Sequence, residues 1–146
     1  MTELFDEFPC LENDKVMIRK MELSDVVALS EISNNDNVYK YIPPFLYKKS
    51  IKALETAIKN FGGRDFEKKK YIIAGIYLKD NPNRLVGLAE MFDYKKRENK
   101  ITVGYRLNEE YWNKKIATNV LKLMVEYLVS EVNITTLKAF VMRENL

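Results

Sequence analysis

Two periods of apolar and polar residues divide this chain. Residues 15–21 (K-V-M-I-R-K-M) alternate in the period of a strand. Ser24 and Asp25 then supply helix-start chemistry, and Val27, Ala28, Leu29 and Ile32 fit the apolar stripe of a short helix ending near Asn34 and Asn35. Residues 38–47 (V-Y-K-Y-I-P-P-F-L-Y) show neither period and read as an aromatic loop broken by Pro43 and Pro44. Residues 50–61 return to the helical period through Ile51, Leu54, Ala57, Ile58 and Phe61, with Gly62 and Gly63 as a stop.

The second half opens with strands. Residues 71–78 form a continuous apolar run, the pattern of a strand covered on both faces. Residues 80–83 (D-N-P-N) read as a turn, 85–94 as a strand, 95–99 as a turn and 101–107 as a further strand, together an antiparallel meander. A long helix is predicted from about Lys114 to Glu131. It has Ile116, Val120, Met124, Leu128 and Val132 at four-residue spacing, and Ala117, Leu121, Val125 and Val129 beside them on one broad buried face. Residues 135–142 (T-T-L-K-A-F-V-M) end the pattern as a strand. The predicted order is β-α-α-β-β-β-α-β, an α+β class, and 146 residues suit one domain with a sizeable core.

Composition narrows the chemistry. Apolar residues make up 47% of the chain, so it buries a core. The net charge is +3 with both signs interspersed, too weak to imply a nucleic-acid partner. Cys10 is the sole cysteine, so no intramolecular disulfide forms. The opening M-T-E-L-F-D-E-F lacks the shape of a leader, and no apolar run approaches the ~20 residues of a membrane helix. A cytoplasmic location is therefore the default expectation. Histidine is absent, which excludes Ser-His-Asp and Cys-His catalysis and every His-ligated metal site. Any general base is Glu, Asp, Tyr, Lys or a water chain, and no metal site is expected.

Two places carry candidate chemistry. Where the strand 101–107 leads through a short acidic loop into the long helix, Lys114 and Lys115 sit at a helix start that has no acid. Unpartnered N–H groups and the positive end of the helix dipole make such a start a place for phosphate. An ordinary amphipathic helix with a lysine-rich start fits the same residues. In the strand 85–94, Glu90 falls by alternation on a face with Val86, Leu88 and Phe92. A carboxylate on an apolar face is costly to ionise, so Glu90 is the first candidate for receiving an amine or relaying its proton. A strand-edge glutamate reaching water is the alternative. Glu109 and Glu110 are expected to face solvent.

The run V103-G-Y-R-L-N-E-E-Y-W-N-K-K-I-A-T118 resembles the acyl-CoA-binding segment of the GNAT superfamily of N-acetyltransferases, in which a strand I-G-Y-x-L leads into Q/R-x-x-G-x-G/A. Trp112 stands at the Q/R slot, Lys115 at the first Gly slot and Ala117 at the last. The opening L-x-x-R-x-x-x-x-x-D pattern, here V16-M-I-R-K-M-E-L-S-D25, and the stretch N34-N-D-N-V-Y-K-Y-I-P43 resemble the ribosomal-protein N-terminal acetyltransferase branch. The resemblance implies a mostly antiparallel sheet flanked by helices and acetyl-CoA as cosubstrate. Trp112, Asn113, Lys114, Lys115, Ile116, Ala117 and Thr118 would hold its pyrophosphate, with Lys115 in a right-handed helical conformation that tolerates its Cβ. The backbone of Val103, Tyr105 and Leu107 would hold the pantetheine and polarise the thioester. Asn145 matches the family asparagine after the fifth strand. Tyr39, Tyr41 and Phe45 would wall the acceptor site, or else cover the core beneath their loop.

The family continues beyond this point with a helix and two strands, so the resemblance implies a C-terminally incomplete domain or a homodimer completing the sheet through residues 135–142. The implied partners are acetyl-CoA and an amine acceptor, with no membrane and no nucleic acid. A peptide or protein N-terminal amine is favoured over lysine because it is neutral more often near pH 7. The alternatives are a catalytically weak acyl-CoA-binding sensor or interaction subunit and, more weakly, a nucleic-acid or ribosome-binding domain.

Overall fold

The computed structural model describes residues 2–139, and its six strands form one sheet in the order β1-β2-β3-β4-β5-β6. β1 (Leu11–Glu12) and β2 (Val16–Arg19) make a small antiparallel edge, β3 (Ile72–Leu78), β4 (Asn81–Lys95) and β5 (Lys100–Leu107) make the meander, and β6 (Thr136–Ala139) joins β5 in parallel. The helices are α1 (Val26–Ser33), α2 (Asp36–Tyr39), α3 (Ile51–Gly62), α4 (Arg64–Glu67) and α5 (Ile116–Glu126). The expected order is present, with β1, α2 and α4 as short additions. Residues 140–142 of the expected last strand, and Asn145, lie outside the described residues.

Alternation along β3 divides the core. Ile72, Ala74 and Ile76 pack with Val120 and Met124 of α5 and with Leu128 just beyond its end, while Ile73 and Tyr77 pack with Leu29 of α1 and Leu54 and Ile58 of α3. Each of these buried branched side chains contributes about 1.5–3 kcal/mol relative to exposure. The Arg and Asp of the opening motif serve this core. The Arg19 guanidinium lies 3.7 Å from the Tyr77 ring centre, and the Tyr77 hydroxyl donates to Asp25 Oδ2 at 2.7 Å. Burial first, and then Asp25, push the Tyr77 phenol well above its ordinary pKa.

Four expectations need correction. The turn after β3 is Lys79–Asp80, and residues 81–84 already belong to β4. Pro82 is tolerated there because β5 pairs with β4 only from Gly87 onward. A register shift between β3 and β4 then sets Tyr77 opposite Leu85 and Ile76 opposite Gly87. It turns Val86 to the α5 face, away from Leu88. The aromatic segment 38–47 begins as helix, because the Asn35 side chain caps α2 by accepting from Asn37 N and Val38 N. In α5 the row from Ile116 to Leu128 is buried as expected, but Val125 and Val129 are 39% and 46% exposed, and Leu123 and Tyr127 are buried instead. The buried face is thus turned toward Leu123 and Tyr127, about 100° to one side of the central row, which leaves Val125 and Val129, about 100° to the other side, facing solvent. A π-helical turn, Tyr127–Glu131, closes α5.

Candidate active site

The segment between α2 and α3 folds onto the α1/α3 face of β4 and β5. The Tyr39 hydroxyl donates to Phe45 O at 2.6 Å, and the buried Ser33 hydroxyl donates to Leu46 O at 2.6 Å. The Tyr39 and Tyr47 rings lie 4.8 Å apart, and the Tyr47 hydroxyl donates to Asp36. Beneath this segment is a cavity of about 440 Å³, lined among others by Tyr41, Phe45, Tyr71, Glu90, Phe92 and Arg106. Tyr41 and Phe45 line this cavity. Tyr39 is buried behind the wall, holding Phe45.

Glu90 is buried at the floor, but not alone. Arg106 donates from Nε to Glu90 Oε2 at 2.5 Å and from Nη2 to Oε1 at 3.0 Å. The pair follows from the register of the meander: Glu90 lies opposite Gly104 and Leu88 opposite Arg106, so the two charged residues are diagonal neighbours on one face. The expectation of an uncompensated carboxylate is corrected on this point. Arg106 also donates from Nη1 to Pro43 O at 3.3 Å and Phe45 O at 3.2 Å, with its guanidinium 5.4 Å from the Tyr39 ring centre and 5.3 Å from that of Phe45. Burial, the largest single influence, opposes its charge, but Glu90 and then Tyr39 together hold the guanidinium pKa above its ordinary value. Sequence reading missed Arg106. The signal lay in pairing the strands across the turn at 95–99, which places an arginine beside the one inward glutamate.

The other candidate place begins where β5 ends. The backbones of Val103, Tyr105 and Leu107 pair with Met91, Ala89 and Gly87 of β4. β6 pairs with β5 over Lys100–Val103. Gly87 has no room for a Cβ, which would meet Arg106 O and Leu107 Cα. A 3₁₀ turn at Glu109–Tyr111 follows, and Trp112 Nε1 donates to Leu107 O at 3.0 Å, fastening the loop to the strand end. Leu107, Trp112, Asn113, Lys115, Ile116, Ala117 and Thr118 line a cavity of about 230 Å³. Lys114 leans on Tyr111, its ammonium 5.7 Å from the ring centre.

Lys115 corrects a second expectation. It precedes the first residue of α5 with φ 63° and ψ 13°, in the left-handed region, and Asn113 has φ 59°. The backbone keeps the turn that glycine permits, and lysine adopts it at a cost of about 1–2 kcal/mol. No side chain caps the helix start, so its first amides remain free of that competitor for an anion.

The two acidic residues before this loop are exposed, as expected, yet structural. Glu109 accepts from Asn35 and Asn37 at 3.0–3.2 Å, and Glu110 accepts from Arg84 at 2.5 Å. The Asn37 and Asn35 side chains hold the Glu109 carboxyl below the usual carboxylate range. Among the described residues there is no cluster of His, Cys, Asp or Glu able to hold a metal ion, and no helix long and apolar enough to cross a membrane.

Residues 15–146 match the acetyltransferase (GNAT) domain. The chain belongs to the GNAT acetyltransferase family. As a GNAT member it is an acetyl-CoA-dependent N-acetyltransferase. It is similar to the uncharacterized N-acetyltransferase YoaA of Bacillus subtilis (strain 168), at 25% identity over 138 residues, covering 94% of this chain and 76% of the relative. A solved structure from Vibrio cholerae, assigned as a ribosomal-protein-serine acetyltransferase, superposes with a TM-score of 0.78 at 14% identity, covering 94% of this chain and 76% of that one. The Microcin C7 self immunity acetyltransferase MccE, solved with acetyl-CoA and AMP, gives a TM-score of 0.71 at 20% identity, over 90% of this chain and 73% of that one. At such identities the structural likeness speaks for the fold.

Proposed function

We propose that this GNAT member moves the acetyl group of acetyl-CoA to a primary amine of low pKa, foremost a peptide N-terminal amine. The carrying observation is that consecutive residues of β5 line the two cavities. Gly104, Tyr105 and Arg106 line the larger, and Leu107 lines the smaller. A place for phosphate and a cavity for an amine are thus set side by side at the C-terminal end of one strand.

The residues at the smaller cavity fit a pyrophosphate. They offer a helix start without a side-chain cap, Lys115 in the lining with Lys114 next to it in the chain, and a turn held in the glycine conformation. Bound there, acetyl-CoA supplies an activated thioester. The amine nitrogen forms a bond to the acetyl carbon, the carbon–sulfur bond breaks, and CoA leaves as a thiol carrying the proton the nitrogen gives up. Glu90 already accepts from Arg106 at both oxygens, so it meets an incoming amine as an oriented acceptor with lone pairs to spare rather than as an isolated base. That arrangement suits an amine arriving neutral. An α-amine with pKa about 7.7–8.0 is neutral in roughly one molecule in seven at pH 7, against about one in 2,500 for lysine at about 10.4.

The test pairs thiol release from acetyl-CoA in the presence of peptide amines with a CoA titration. Replacing Lys114 and Lys115 by Glu should weaken CoA binding at least tenfold at low salt, about 1.4 kcal/mol. Unchanged affinity would remove residues 112–118 from the site. CoA binding without turnover on any amine would support an acyl-CoA-binding sensor instead.

A further inference from the structure

The walls of the acceptor cavity select among amines. Ile42, Pro43, Phe45, Ile73 and Phe92 supply apolar surface, and Tyr71 turns its hydroxyl onto Asp65 Oδ2 at 3.2 Å, leaving its ring as lining. The charged residues lining the cavity are Glu90 and Arg106, and each already neutralises the other. A carboxylate that receives one amine has no second carboxylate beside it in this lining for another cation. A second ammonium carried into such a wall would lose its water without gaining a partner. About 440 Å³ falls in the range of small-molecule pockets, roughly 300–1,000 Å³. Tyr41, 54% exposed, stands at the open side.

We infer that the acceptor carries an aromatic or branched aliphatic group within a few bonds of its amine and no second positive charge. This inference rests on the acetyltransferase reading of the same cavity. Two sources share the chemistry: a peptide whose first residue is large and apolar, and a free arylalkylamine. In either case the bond formed is nitrogen to acetyl carbon, and the apolar group fills the space under Phe45 and Phe92 while the nitrogen meets Glu90.

Amino-acid amides isolate the effect, because all of them present an α-amine. With acetyl-CoA saturating, kcat/KM for phenylalaninamide and leucinamide should exceed that for glycinamide and lysinamide by about 30-fold, within the roughly 10–200-fold that an apolar pocket discriminates. 2-Phenylethylamine, compared per neutral amine because its pKa lies well above that of an α-amine, separates the two sources: a rate matching phenylalaninamide assigns the free amine, and a much lower rate assigns the peptide. Equal rates for glycinamide and phenylalaninamide, or a preference for lysinamide or spermidine, would overturn the inference and leave acetyl transfer standing. If no amine turns over, calorimetric titration of the CoA-loaded protein decides it. Phenylalaninamide binding at least tenfold tighter than lysinamide upholds the cavity's selectivity while the transferase reading fails, and no preference overturns both. Tyr41→Glu, at an exposed position, should shift the ratio several-fold toward lysinamide, and an unchanged ratio would count against the cavity as the acceptor site.

Discussion

Arg106 and Lys115 stand nine residues apart, and the protein treats them in opposite ways. Arg106 is 5% exposed and held by Glu90, two loop carbonyls and two aromatic rings. Lys115 is exposed, begins a helix without a side-chain cap, and sits in a backbone conformation that lysine disfavours. The floor of the larger cavity is over-determined by side chains, so substitution there should cost stability. The proposed CoA end is a backbone turn, so substitution there should alter binding with small effects on folding.

The largest expected effect is on stability at the floor. Arg106→Ala leaves Glu90 buried without its partner, and breaking such a pair from one side costs about 3–5 kcal/mol. The urea midpoint should fall accordingly. The double change Glu90→Leu with Arg106→Met should recover most of that loss, since apolar residues of similar volume often replace a buried pair without penalty. A double variant as unstable as Arg106→Ala would show that the loop carbonyls, rather than the pair, make arginine necessary.

The next effect separates function from folding at the same place. Glu90→Gln keeps the shape but removes the charge and one of the two acceptors that Arg106 uses, so some loss of stability accompanies it and turnover is compared on the folded protein. Turnover should drop by at least about tenfold while CoA affinity stays within about twofold, the signature of an interaction made with the acceptor. A parallel loss of CoA binding would mean that the floor and the phosphate end are not the independent regions described above.

Much of this contrast was legible in the amino-acid sequence, and the rest was hidden for physical reasons. The meander, the buried row from Ile116 to Leu128 and the inward place of Glu90 follow from period alone. Arg106 was not seen because its role depends on cross-strand register, which a single strand does not carry. Val86 was misplaced because it is the extra residue of a bulge between Leu85 and Gly87, which resets the alternation along β4. The handedness of Lys115 was missed because lysine gives no sign of positive φ; only its position in the glycine slot pointed there. Backbone chemistry leaves a weak trace in residue identity, and this is why the conformation of Lys115 was misread.

At the phosphate end a smaller effect isolates that backbone. Lys115→Gly relieves the left-handed conformation, whereas Lys115→Ala removes the ammonium and keeps the Cβ. The glycine variant should be the more stable of the two by about 1 kcal/mol. Both lose the same charge, so a common drop in CoA affinity reports the ammonium and any difference between them reports the turn. Equal midpoints would mean that the loop relaxes away from φ 63°.

The smallest effect lies on the contact that joins the two regions. Glu109, just before the phosphate loop, accepts from Asn35 and Asn37, which begin the acceptor wall at α2. These hydrogen bonds, Asn37 first, lower the Glu109 pKa in the folded protein. A lowered folded pKa means stability that is present above the unfolded value and is lost as pH falls through the folded one. Asn37→Ala should therefore change the urea midpoint slightly at pH 7, and the pH-dependent part of that change should vanish at about pH 2. The carboxylate is exposed, so salt and water keep the magnitude small. A difference that instead grows on acidification would show that Asn37 acts through α2 itself and that Glu109 does not join the acceptor wall to the phosphate loop.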